Sequence, residues 1–297
     1  MPPIPLILDT DIGGDIDDAW ALALLLKSPE FDPRLILTGT GNTHYRAAVA
    51  AKYLQAGGRT ELPIGIGLLQ DTQPGPQAEW LGDYQLADYP GPLYEDGIGH
   101  LIELLMNAPE PPVLCCLGPA TNLREALRRE PRLAGRARVV GMFGSLRRGY
   151  DGSAEVIAEY NVRADPAACQ ALFEHFPGST ITPLDTCGTV TLAGPVYQRI
   201  LACRDPLIQA LVASYRSWAR QVTWVQVDPE QHSSVLFDTV AIYLALAETW
   251  LEIETLGLVV DAAGYTHIDP AGVPVRCATH WRDAAAFEDW LVGRLTS

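Results

Sequence analysis

Five carboxylates and two glycines crowd the ten residues Asp9-Thr10-Asp11-Ile12-Gly13-Gly14-Asp15-Ile16-Asp17-Asp18. Acidic side chains that close repel one another, and in a folded site they need a cation, shared protons or hydrogen-bond donors. No His or Cys lies in the stretch, so the donor set is all oxygen, which suits Ca²⁺ or Mg²⁺ better than Zn²⁺. The competing explanation is a solvated acidic turn that caps a helix beginning near Asp17, where carboxylates favour the positive helix end. Position favours the ion. The stretch follows the apolar run Leu6-Ile7-Leu8 directly, and open α/β sheets bind ligands beyond the carboxyl ends of their strands.

The elements that must position these groups alternate along the chain. Residues 19–27 read as a helix apolar nearly all round, hence buried. A strand over 35–40 ends in Gly41-Asn42-Thr43, and a helix over 45–56 stops at Gly57-Gly58. Further strands are expected at 63–67, 112–117, 137–144, 180–184 and 252–260. Helices are expected at 99–106, 123–129 and 239–247, with one opened by Asp165-Pro166 and another starting at Pro206. Residues 70–97, rich in Pro, Gly, Asp, Tyr and Trp, form a loop folded over the sheet face. This rhythm implies one α/β domain over residues 1–297, an open and mostly parallel sheet flanked by helices.

Composition excludes several partners. The net charge of −15, with Lys27 and Lys52 the only lysines, disfavours nucleic acid and anionic membranes. The six cysteines form no Cys-x-x-Cys pair and read as buried free thiols in a reducing compartment. Met1-Pro2-Pro3-Ile4-Pro5 has no basic region ahead of its apolar run, and no apolar stretch approaches the ~20 residues that span a bilayer. A cytoplasmic location is expected.

Asp9-Thr10-Asp11, Gly13 and Asp17-Asp18-Ala19 resemble the amino-terminal signature of the nucleoside hydrolases, calcium-dependent N-ribohydrolases, with a loop two residues longer than their short form. Gly41-Asn42-Thr43 matches the family pattern at the next strand end. Leu117-Gly118-Pro119-Ala120-Thr121-Asn122 resembles its Gly-Pro-Leu-Thr-Asn motif, and Glu159-Tyr160-Asn161 its Glu-Phe-Asn element. The likeness covers most of the chain. It implies the nucleoside hydrolase fold and one Ca²⁺ held by Asp11, Asp18, the Thr121 carbonyl and Asp238, with Asp15 as a rival ligand. It also implies Asp11 as the base that deprotonates water, Asp17, Asn42, Glu159 and Asn161 on the ribose hydroxyls, and a homodimer or homotetramer.

The departures fall on the other half of the site. Phe237-Asp238 stands where purine- and pyrimidine-cleaving members have His-Asp, and Tyr94-Glu95-Asp96-Gly97 where they have His-Gly. Ser153 replaces an asparagine six residues before the glutamate. Of the histidines, only His44 and His232 fall near loops or strand ends. Tyr215, Trp218 and Trp224 either line a leaving-group pocket or pack on the core.

Taken without the resemblance, Gly41-Asn42 is an ordinary turn pair, Thr121 or Asn122 a helix cap, and Glu159-Asn161 a strand end. A phosphatase of the haloacid dehalogenase type also opens on Asp-x-Asp, but it needs a downstream lysine that this chain lacks. No phosphate-binding loop or Gly-x-Gly-x-x-Gly fingerprint follows the first strand. The expected function is hydrolysis of the N-ribosidic bond of a nucleoside or related riboside. The alternative is a ribose-binding protein of the same fold without turnover.

Overall fold

The computed structural model describes residues 2–297. One ten-stranded sheet runs through it. Its strands are β1 (Ile4–Thr10), β2 (Phe31–Thr38), β3 (Ile64–Ile66), β4 (Leu93–Tyr94), β5 (Val113–Cys116), β6 (Arg138–Met142), β7 (Thr180–Thr182), β8 (Leu251–Val260), β9 (Thr266–Ile268) and β10 (Val273–Trp281). They lie in the order β4-β3-β2-β1-β5-β6-β7-β10-β8-β9. The pairings from β4 through β10 are parallel, while β10 with β8 and β8 with β9 are antiparallel. The sheet is therefore mostly parallel, as expected.

Alternation explains why β1 is central. Leu6 and Leu8 face one apolar core and Ile7 the other, so helices cover both faces of the sheet. From β1 the chain winds outward through β2, β3 and β4, then returns to β1's opposite side as β5. That reversal is the topological switch point, where a crevice opens beyond the strand ends. Asp11 leaves β1 there and Leu117 leaves β5.

The helix expected after the acidic loop spans Asp17–Leu26, with every residue from Asp17 to Leu25 buried. Two segments, residues 70–97 and 261–297, depart most from expectation. Residues 70–97 are not all loop: they hold the short helix Ala78–Leu81 and β4, which pairs with β3 at the sheet edge. The segment is anchored by Trp80, which stacks on Tyr53 at 4.5 Å beneath the Lys52 ammonium. The helix expected to start at Pro206 is present and ends at Gln221, with Trp224 in the irregular stretch beyond it. Residues 261–297, given no elements from sequence, supply β9, β10 and the helix Ala284–Leu295. No helix among the described residues is long and apolar enough to cross a membrane.

Candidate active site

A cavity of about 650 Å³ opens at the switch point. Its polar lining includes Asp11, Asp15, Asp17, Asp18, Glu159, Asn161 and Asp238, and its apolar lining includes Tyr150, Trp218, Trp224, Val225 and Phe237.

Asp17 and Asp18 occupy the first turn of the helix Asp17–Leu26, and Asp238 the first turn of the helix Phe237–Leu246, which packs against it. Two helix amino ends thus converge, and each of the three carboxylates brings an oxygen within 4.8 Å of the others. All three are buried, and burial followed by repulsion from neighbouring aspartates raises their pKa values well above the usual carboxylate range. The Thr10 hydroxyl donates to Asp18. Three buried hard-oxygen donors with like-charged neighbours form the donor set of a divalent cation of the Ca²⁺ or Mg²⁺ kind. The residues fit such an ion.

The ion-ligand set expected from sequence maps onto this trio in part. Asp18 and Asp238 belong to it; Asp17, assigned to the ribose, is its third member. Asp11 lines the same cavity without joining the trio, packed so closely on Gly118 that a Cβ there would sit 2.7 Å from its Oδ1. Burial raises the Asp11 carboxyl, and the nearby Arg46 charge opposes the rise. Thr121 is buried, and its hydroxyl donates to Asp165 at 3.0 Å. Neither it nor Asn122 caps the helix Thr121–Arg129, whose N-cap is Ala120. Asn122 instead donates to Asp9 Oδ1 at 2.9 Å and to the Thr38 carbonyl at 3.1 Å, joining the ends of β1 and β2 to β5.

Glu159 and Asn161 lie at the start of the short helix Tyr160–Ala164, not at a strand end. Glu159 is its N-cap, accepting from the amides of Asn161 at 2.7 Å and Gly144 at 3.0 Å. Burial pushes its pKa up to about 7. The Asn161 amide donates to the carbonyls of Leu117 at 2.6 Å and Met142 at 3.0 Å, bridging the ends of β5 and β6. Asn42 has a different place: its Oδ1 accepts from Tyr45 N at 3.1 Å as the N-cap of the helix Thr43–Ala56, and it is not among the residues that line the cavity.

The lengthened acidic loop is pinned at four successive carbonyls by side chains from three other segments. Ile12 O accepts from Arg46 Nη1 at 3.0 Å, Gly13 O from the Tyr45 hydroxyl at 3.1 Å, Gly14 O from Trp218 Nε1 at 3.0 Å and Asp15 O from Gln77 Nε2 at 3.2 Å. Gly13 turns the chain with φ 98°, a conformation a Cβ disfavours. Asp11 and Asp15, at either end of the pinned stretch, both line the cavity. Burial lifts the Asp15 pKa to about 6, and its Oδ1 accepts from Ile16 N at 2.6 Å.

The apolar lining is looser. Trp224 is 64% exposed and meets Trp218 edge-on at 6.2 Å; Phe237 meets Tyr150 edge-on at 5.7 Å. Tyr215 does not line the cavity but packs against Trp20 in the core. Ser153 is exposed and accepts from Glu155 N at 3.2 Å. His44 pairs with Glu95 at the surface, His232 bonds the Ser233 carbonyl, and no histidine lines the cavity among the described residues. Sequence reasoning missed Arg46, Tyr150, Asp151 and Arg163, all of them in the lining. Only Arg46 carried a signal, a charge followed by the run Ala47-Ala48-Val49-Ala50-Ala51 that marks a buried helix face.

A family model described as inosine-uridine preferring nucleoside hydrolase matches residues 6–288. The non-specific ribonucleoside hydrolase RihC of Escherichia coli (strain SMS-3-5 / SECEC) is 29% identical over 97% of both chains. The protein of that name from Shigella boydii serotype 4 (strain Sb227) is 30% identical over 97% of both. Among solved structures, a plant nucleoside hydrolase superposes with a TM-score of 0.82 at 22% identity, covering 100% of each chain. The inosine-uridine preferring nucleoside hydrolase of Bacillus anthracis gives 0.78 at 18% identity, over 100% of this chain and 99% of that one. These structural likenesses speak for the fold. Matched from within β1 into its last helix, the chain belongs to the inosine-uridine preferring nucleoside hydrolase family.

Proposed function

We propose that the chain, acting as one domain over residues 1–297, hydrolyses the N-ribosidic bond of a nucleoside or related riboside. The observation that carries this is the buried trio Asp17, Asp18 and Asp238 at the switch point, in one cavity with Asp11, Glu159 and Asn161. Asp11, Asp18, Asp238 and the Thr121 carbonyl would hold Ca²⁺, with Asp17 close enough to Asp18 and Asp238 to share it. Bound there, the ion supplies a polarised water of lowered pKa.

Asp11 takes the proton of the attacking water. The water oxygen bonds to C1′ as the bond from C1′ to the leaving nitrogen breaks, and that electron pair departs with the base. Asp17, Glu159 and Asn161 hold sugar hydroxyls, so that binding energy draws the ribosyl group towards its oxocarbenium-like transition state. The departing base needs a proton, and no histidine is there to give one. A missing general acid lowers rates by roughly 10²–10⁴, so a p-nitrophenyl riboside, whose leaving group needs little protonation, should outpace purine nucleosides. A cytoplasmic location accords with the free cysteines. A homodimer or homotetramer is proposed from the family resemblance, and sedimentation tests it.

The deciding experiment assays nucleosides and p-nitrophenyl riboside with and without Ca²⁺, beside Asp11→Ala. A wild type that binds ribose but cleaves nothing replaces the hydrolase with a ribose-binding protein. Unchanged activity in Asp11→Ala refutes the assigned base.

A further inference from the structure

Arg46 is a charged side chain only 9% exposed, yet among the described residues it has no carboxylate partner within 4.0 Å. Two peptide carbonyls hold its guanidinium: Nε donates to Thr40 O at 2.6 Å and Nη1 to Ile12 O at 3.0 Å. Thr40 is a non-glycine residue at φ 66°, followed by Gly41 at φ 62°. A left-handed β-branched residue persists only where its surroundings hold it, and such strain gathers at ligand sites. Nη2 makes no hydrogen bond among the described residues, and Arg46 lines the cavity beside Asp11, Gly14 and Asp15. Glycine at position 14 keeps the approach open, since a Cβ there would lie 3.3 Å from Nη1 and 3.6 Å from Nη2. A buried guanidinium fork with idle donors is thus aimed into the cavity from the helix that follows β2.

We infer that Arg46 is a substrate-contacting specificity residue whose free N–H groups donate to a sugar hydroxyl oxygen, from the strand end where the resemblance places Asn42 in that task. This rests on the riboside reading. Asn42 has its Oδ1 engaged as a helix cap and stands outside the cavity lining; Arg46, one turn later, stands within it. The chemistry selects a hydroxyl over an anion. Asp11, Asp15, Asp17 and Asp18 line the same cavity and repel anionic groups, whereas a hydroxyl accepts from the guanidinium while donating its own proton to a carboxylate.

The test uses the full chain with Ca²⁺, comparing wild type, Arg46→Gln, Arg46→Lys and Asn42→Ala. Substrates are p-nitrophenyl β-ribofuranoside and its 2′-, 3′- and 5′-deoxy analogues, and the binding of ribose and the matching deoxyriboses is followed by calorimetry. Arg46→Gln should raise KM for the full riboside about 10- to 100-fold, the range for a lost charge-assisted hydrogen bond. For the one analogue lacking the contacted hydroxyl that factor should shrink to about twofold or less, with Arg46→Lys in between. Losses equal across all four substrates mean that Arg46 only braces the loop, and a hydroxyl-selective loss in Asn42→Ala returns the contact to Asn42. Either result overturns the inference. If the wild type binds ribose without cleaving any glycoside, the hydrolase reading fails while Arg46 is still judged on binding; if it neither binds nor cleaves, both fall.

Discussion

The acidic and aromatic parts of the cavity are built on different principles. Asp17, Asp18 and Asp238 sit on the first turns of two packed helices, Asn161 bridges two strand ends and Glu159 is locked by backbone amides. All five are buried. Trp224, by contrast, stands on an irregular segment and Tyr150 on a single 3-10 turn, and they are 64% and 41% exposed. A sheet with fixed strand ends can hold an ion and a sugar to fractions of an ångström, while loops beside it change what departs from C1′ without disturbing that geometry. Specificity for the leaving group can therefore drift while the sugar chemistry stays.

The largest effects should come from the acidic part. Removing a trio member by Asp18→Ala or Asp238→Ala should eliminate the bound ion, about one equivalent per chain on a one-site model, and lower kcat/KM by roughly 10³-fold or more. Metal analysis beside steady-state assays checks both, and a variant that retains its ion breaks the assignment. Asp11→Asn should keep the shape but lose the base, lowering kcat about 10²- to 10⁴-fold; ion content should change less than in Asp18→Ala.

Changes in the aromatic part should be smaller and should depend on the leaving group. Phe237→His restores a proton donor next to Asp238, and turnover of inosine is expected to rise about tenfold or more while p-nitrophenyl riboside gains little. Equal gains on both substrates would mean that the residue shapes the acidic part instead. Trp224→Ala should raise KM for substrates with aromatic leaving groups about two- to tenfold, leaving kcat near wild type.

The smallest effect is on stability. Burial pushes the Glu159 carboxyl from its ordinary 4.5, and the Asp9 carboxyl from 3.8, up to about 7. Between those ordinary values and 7 the folded chain holds more protons than the unfolded one, so stability falls as pH rises through that window and returns on acidification. Melts of the ion-free protein should shift upward by a few degrees between about pH 7.5 and pH 5. Saturating Ca²⁺ should oppose that trend, because protons then compete with the ion.

The acidic loop of residues 9–18 was legible in the sequence because local rules govern it, whereas Asp238, Glu159 and Asn161 were found by the family resemblance. An apolar run into a carboxylate-rich loop predicts strand, crevice and helix, and β1 and the helix Asp17–Leu26 bear this out. Partnerships set by tertiary packing were not legible. Nothing local distinguishes Tyr215, which packs in the core, from Trp218, three residues on, which reaches the cavity. Asn42 fits both cap and ligand chemistry, and only the structure shows the cap. The strands within residues 261–297 went unassigned because β9 and β10 alternate irregularly between buried and exposed positions, which blurs the period that marks a strand.

The four carbonyls of the acidic loop, each claimed by a distant side chain, bear on how this loop can be inherited or engineered. Arg46, Tyr45, Trp218 and Gln77 are matched to its length one carbonyl at a time. Excising two residues to mimic the shorter form would shift that register and strand donors that are buried or nearly so. Grafting the longer loop alone onto a short-loop scaffold would leave its carbonyls without partners. The loop and its four anchors are thus a single heritable module, and chimaeras that move them together should fold where those moving the loop by itself should not.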